Sequence, residues 1–164
     1  MSYSIRPHLT PFFAEIEATK LIRHALDIAS MTVDTSMYYE PSPVLVVGKP
    51  GNGKSTALLK LELEQSNIVY IQASSSQTNL NGLLEGLLAA MDVHHGRKHL
   101  RDMMELVMDN FDSQQLIVLV DEYQTFNLNA IRELMRMCES SLTPLVLVGN
   151  KERLKATGSE KNCS

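Results

Sequence analysis

Gly48, Gly53, Lys54 and Ser55 meet every fixed position of the spacing G-x-x-x-x-G-K-[ST], inside the stretch Gly48-Lys49-Pro50-Gly51-Asn52-Gly53-Lys54-Ser55-Thr56. That spacing suits a chain of phosphates. Triphosphate oxygens need several backbone N–H groups aimed at one point, and glycines let a loop curl that tightly. Gly51 and Gly53 also keep Cβ atoms away from the anion. A helix starting near Lys54 adds the positive end of its dipole. Lys54 would neutralise the β- and γ-phosphates, and the Ser55 hydroxyl would ligate Mg²⁺. Gly48 to Thr56 is therefore the expected nucleotide loop, with ATP and Mg²⁺ as its expected ligands.

A second chemical group lies far along the chain, where the apolar run Leu116-Ile117-Val118-Leu119-Val120 meets Asp121-Glu122. In a parallel sheet, ligands collect at the carboxyl ends of the strands, so a carboxylate there sits beside the phosphate loop. Asp121 is expected to hold Mg²⁺ through water, sharing that task with Ser55. Glu122 can polarise an attacking water, the step that separates hydrolysis from mere binding. Asn150 closes a further apolar run, Leu145 to Val148 followed by Gly149. Its amide can hydrogen-bond the γ-phosphate or the attacking water; the alternative is an ordinary turn asparagine. Glu122 and Asn150 form the expected catalytic pair.

These residues need a scaffold, and the sequence supplies its pattern. Val44 to Val47, Ile68 to Ala73, Leu116 to Val120 and Leu145 to Val148 are short apolar runs rich in β-branched residues, as in strands buried on both faces. Between them lie helical patterns. One covers Lys54 to Gln65. A second carries Leu80, Leu83, Leu84, Leu87 and Leu88, and a third Leu100, Met104, Val107 and Phe111. Asn127 can cap a fourth, which carries Leu128, Ile131, Met135 and Cys138 inward. Thr10-Pro11 can open an earlier helix reaching about Ser30. Alternating strands and helices predict an α/β three-layer sandwich around a parallel sheet. The expected organisation is an N-terminal helix and connecting segment over 1–43, a nucleotide-binding core over 44–155 and a polar tail over 156–164.

GKPGNGKST, LIVLVDEYQ and LVLVGN, in that order, resemble the Walker A, Walker B and sensor 1 motifs of an AAA+ ATPase with a P-loop NTPase core. The segment IVYIQASSSQTNLNGLLEGLLAAM is similar to a branch that holds transposon target-selection ATPases of the phage Mu B type, secretion ATPases of the ExeA type and origin-recognition proteins. The resemblance covers about residues 10 to 155. It implies ATP bound between neighbouring subunits, hence a homo-oligomer or an assembly with related AAA+ subunits, and a role in DNA transposition or a related DNA transaction. It also implies a further strand, an arginine finger and a helical lid past sensor 1. Only residues 151–164 follow Asn150, so the expected module is C-terminally truncated and lacks the lid. Arg153 lies too close to Asn150 to be the usual finger.

Composition narrows the alternatives. With 19 acidic and 15 basic residues, the chain is not broadly basic, which leaves nucleic-acid binding to a local patch. The densest basic cluster is His94 to Arg101, with Arg97 and Lys98; it is the candidate DNA contact, against the alternative of a solvated face. Its histidines lack a recognisable metal-ligand spacing. No apolar run approaches the roughly 20 residues that span a bilayer. Two cysteines, one in a polar tail, imply no disulfide framework, and a cytoplasmic setting is expected. Two competing functions stay open. One is a catalytically weak nucleotide-binding module or fragment that co-assembles with complete homologues. The other, a small-molecule kinase, would want an arginine-rich lid, yet only Arg132 and Arg136 lie between Asp121 and Asn150.

Overall fold

The computed structural model of the chain describes residues 17–34, 42–94, 96 and 99–150. The helix start expected at Thr10-Pro11, Arg153 and the polar tail lie outside them. The elements are α1 (Glu17–Asp34), β1 (Val44–Gly48), α2 (Lys54–Glu64), β2 (Ile68–Gln72), α3 (Leu80–Ala90), α4 (Leu100–Ser113), β3 (Ile117–Asp121), a short 3-10 turn (Tyr123–Thr125), α5 (Leu128–Ser140) and β4 (Leu145–Asn150). All strand pairs are parallel, in the order β1-β4-β3-β2.

The apolar runs become strands because both faces of the sheet's centre are covered; on the edge strand β1, expected to be buried on both faces, Leu45 is 52% exposed. Successive side chains alternate between faces. Val118, Val120, Leu145 and Leu147 pack under α3, α4 and α5. Leu119, Val146 and Val148 pack under α1 and α2. The result is the three-layer α/β sandwich that the alternation predicts. In α3, Leu83, Leu84, Leu87 and Leu88 are all fully buried, each stabilising the fold by about 1.5–3 kcal/mol. α3 meets β2, α4 and α5, which is why its apolar face is so wide.

Two inward faces differ from the expected ones. In α5 the buried residues are Ala130, Ile131, Leu134, Met137 and Cys138, whereas Leu128 and Met135 are exposed. At 100° per residue the stripe centres on Leu134, and Leu128 and Met135 both fall to its sides. In α4 the buried stripe is Met103, Val107 and Phe111, with Met104 only partly covered. Leu100 is the first residue of that helix and is exposed.

Sheet order decides what meets what. β4 lies between β1 and β3, with Gly48 opposite Asn150 and Asp121 opposite Val148. Asn150 therefore ends beside the start of the glycine loop, two residues past the level of Asp121. α3 and α5 begin with side-chain caps: Asn79 accepts from the Gly82 N–H and Asn127 from the Ala130 N–H.

Candidate nucleotide site

The loop after β1 curls through two left-handed glycines, Gly51 at φ 79° and Gly53 at φ 74°. That conformation is costly for residues with a Cβ. Gly53 is also the N-cap of α2, and no side chain closes that helix start. Unlike α3 and α5, α2 thus presents its first-turn N–H groups and positive dipole end to the loop's hollow. Lys49 to Asn52 and Thr56 are exposed, and Gly53, Lys54 and Ser55 half-buried. The Lys54 ammonium donates to the Lys49 carbonyl at 2.7 Å and folds back over the loop. An anion in the hollow would compete for that ammonium with a stronger, charge-assisted bond.

The acid side is a network of hydrogen bonds among its own side chains. Asp121 is almost wholly buried at 1% exposure. Its Oδ1 accepts from the Glu122 N–H at 2.9 Å, and its Oδ2 accepts from the Ser55 hydroxyl at 2.6 Å. The Tyr70 hydroxyl lies 3.5 Å from the same Oδ2. Burial, with the charges of Asp121 and Glu62 nearby, pushes the Tyr70 phenol far above its usual range, so it remains a protonated donor. Glu122 sits in the left-handed region at φ 52°. Such a conformation costs of order 1–3 kcal/mol, and the Glu122 carboxylate faces β4. There Oε1 accepts from the Asn150 amide at 2.6 Å, and Oε2 accepts from the Gln124 amide.

The residues expected to share a site do so. Ser55, Asp121, Glu122 and Asn150 form one connected cluster at the carboxyl ends of β1, β3 and β4. Lys54 joins through the loop rather than through a side-chain contact with the acids. Ser55 and Asp121 together offer hard oxygen donors of the kind Mg²⁺ takes. The uncapped α2 start and Lys54 fit a phosphate. The Asn150 Oδ1 is buried with no protein partner among the described residues, leaving an acceptor for a donor such as water. Two residues of the cluster escape sequence reasoning, Tyr70 and Gln124. Tyr70 is a polar interruption of an apolar strand, which is a readable signal; Gln124 closes the stretch LIVLVDEYQ, but nothing in its type points to Glu122.

A hollow of about 490 Å³ adjoins the loop, lined by Ala18, Leu21, Val47, Gly48, Asn52 and Lys54 among others. A larger one of about 630 Å³ opens at the opposite end of the strands, beside Asn67, Gln114, Ser141 and Pro144. None of the candidate chemical residues lines it. The candidate basic cluster is only partly described, since His95, Arg97 and Lys98 lie outside. Arg101 is paired with Glu105 at 3.1 Å.

A family model described as an AAA domain matches residues 37–156. The chain belongs to that family. Membership implies nucleotide binding, in keeping with the loop geometry. The chain is 25% identical over 140 residues to the ATP-dependent target DNA activator B of Escherichia phage D108, a match covering 85% of this chain and 42% of that protein. It is 24% identical to the Mu-like prophage FluMu DNA transposition protein B of Haemophilus influenzae, over 85% of this chain and 46% of that one. The activator B of Escherichia phage Mu is likewise 24% identical, with 42% of its length covered. The chain thus spans less than half the length of these relatives. Among solved structures, Cdc6p of Pyrobaculum aerophilum matches at TM-score 0.61 and 17% identity, over 92% of this chain and 44% of that one. The shared fold is that of a P-loop ATPase core. The AAA domain here therefore has a P-loop ATPase core of the AAA+ kind.

Proposed function

We propose that this AAA domain binds ATP with Mg²⁺ and hydrolyses the nucleotide, in DNA transposition or a related DNA transaction. One observation carries the hydrolytic part: Glu122 is held by Asn150 at 2.6 Å, at the strand ends where Ser55 already touches Asp121. The DNA part draws on the relatives, one kind named as a target DNA activator and another as a DNA transposition protein.

In this reading the loop N–H groups and Lys54 bind the β- and γ-phosphates. Ser55 and Asp121 would hold Mg²⁺, which supplies charge compensation on the phosphates when bound. Glu122 accepts a proton from water as the water oxygen bonds to the γ-phosphorus. The bond from that phosphorus to the bridging oxygen breaks, leaving ADP and inorganic phosphate. Asn150 orients the water with its free acceptor and keeps its N–H on Glu122. The nucleotide would lie between subunits, in a homo-oligomer or with related AAA+ chains. The stretch His94 to Arg101 would touch the DNA backbone. Among the described residues no helix is long and apolar enough to cross a membrane, and a cytoplasmic setting accompanies this reading.

The test is ATP turnover by purified protein beside Glu122→Gln, with and without double-stranded DNA. Turnover that requires Glu122 and rises with DNA supports the proposal. Tight ATP binding without turnover in either condition would replace hydrolysis by a binding role. The DNA contact has its own check. Alanine at Arg97, Lys98 and Arg101 must flatten the salt dependence of DNA binding, and an unchanged slope removes that stretch from the interface.

A further inference from the structure

Gln124 closes the stretch LIVLVDEYQ without a role assigned to it there, yet it is tied to the residue on which the proposed hydrolysis turns. It lies in the short turn Tyr123–Thr125 directly after the acids, half-buried. Its amide N–H donates to Glu122 Oε2, while Asn150 donates to Oε1 from the neighbouring strand. One carboxylate is thus gripped from two sides by two neutral amides.

The Gln124 amide is itself held in place. Its Oε1 is buried without a protein partner among the described residues. It presses against the backbone of β4: a Cβ added at Gly149 would lie 2.6 Å from Gln124 Oε1 and 2.7 Å from the Tyr123 ring. Gly149 is therefore the slot that admits this side chain. A flip of the amide would aim oxygen at oxygen across the Glu122 contact. The backbone of Glu122 alone would not fix its carboxylate, because its left-handed conformation leaves the side-chain torsions open.

We propose that Gln124 is a positioning residue for hydrolysis, acting through Glu122, with Gly149 as the space it requires. The inference rests on the hydrolytic reading above. A base displaced by about 1 Å loses on the order of 10²-fold in rate, and that is the loss expected when the Gln124 donor is removed.

The experiment uses the full chain with Gln124→Leu, which deletes the donor, and Gln124→Glu, which keeps the shape but exchanges donor for acceptor. Gly149→Ala attacks the same contact from the other strand. ATP binding and ATP turnover are measured on each, with circular dichroism as the check of fold. The expected result is a fall in kcat of roughly 10²-fold in both Gln124 variants, with KM and ATP affinity within about twofold of wild type. A merely structural role would move affinity and fold together with rate. Wild-type kcat in the Gln124 variants, or a higher one, overturns the inference and leaves the hydrolytic reading standing. Absent turnover in wild-type protein that still binds ATP overturns both. Should Gly149→Ala fail to fold, the Gln124 pair decides the matter alone.

Discussion

The phosphate loop is contiguous, largely exposed and shaped by backbone, whereas the acid side joins side chains from distant parts of the chain. Ser55 and Asp121 are 66 positions apart, and Glu122 and Asn150 are 28 apart. The loop keeps its donors available: the α2 start is uncapped, and Lys54 rests on a carbonyl it can leave. The acid side has already spent its donors on one another. Such a division teaches that capture and reaction place different demands on a fold. Capture needs unsatisfied groups that a ligand completes. Reaction needs groups whose directions are fixed beforehand, since reorganisation at the moment of reaction costs rate.

If that division holds, variants on the two sides must fail in different quantities. The largest effect belongs to Glu122→Gln, which should lower kcat by about 10²–10⁴-fold while ATP binding persists. Loss of binding in a folded Glu122→Gln protein would dissolve the distinction. Lys54→Ala should act on capture, weakening ATP affinity by roughly 10- to 100-fold, the worth of a hydrogen bond to a charged group; titration calorimetry reads it directly. Ser55→Ala sharpens the comparison because Ser55 belongs to both sides. It should lower Mg²⁺-dependent ATP affinity and kcat together, so a change in only one would assign Ser55 to a single side. Tyr70→Phe removes a long contact to Asp121 and should raise the Mg²⁺ needed for half-maximal ATP binding a few-fold, about 0.5–1.5 kcal/mol for one hydrogen bond. Binding in the absence of Mg²⁺ should not move. The smallest effect is a null. Burial pushes the Cys138 thiol far above its usual range, so it should resist alkylation in the folded protein near pH 7 and react only after denaturation, as mapped by peptide mass spectrometry.

Legibility in the sequence follows the same division. The loop could be read because glycine spacing, Lys54 and Ser55 lie within a few residues of one another. The sandwich could be read because burial on both faces leaves wholly apolar strands, and Leu145–Asn150 is buried throughout. Asp121, Glu122 and Asn150 could be placed at strand ends. Their partners could not, because a hydrogen bond between residues far apart leaves no periodic trace. Gln124 is unreadable for that reason, as is Gly149, whose bare Cα matters only because a side chain from another turn lies on it. The inward face of α5 was misplaced because Leu128 and Met135 are apolar by type yet lie outside the stripe that packing selects.

The strand order has a further consequence, for the way the molecule comes to be folded. β1 and β3 never touch as neighbours; β4, made after both, is the strand that joins them. Until Leu145–Asn150 leaves the ribosome, the pairing of β2 with β3 has its strands, while β1 lacks its described ladder partner. Non-local parallel pairing of this kind closes slowly, after long stretches of chain have been synthesised. The sheet bridge between the glycine loop and the acids is therefore completed late, after α2 has its partners β2 and β3. A nucleotide met during synthesis would find Glu122 without its Asn150 contact until that strand is in place.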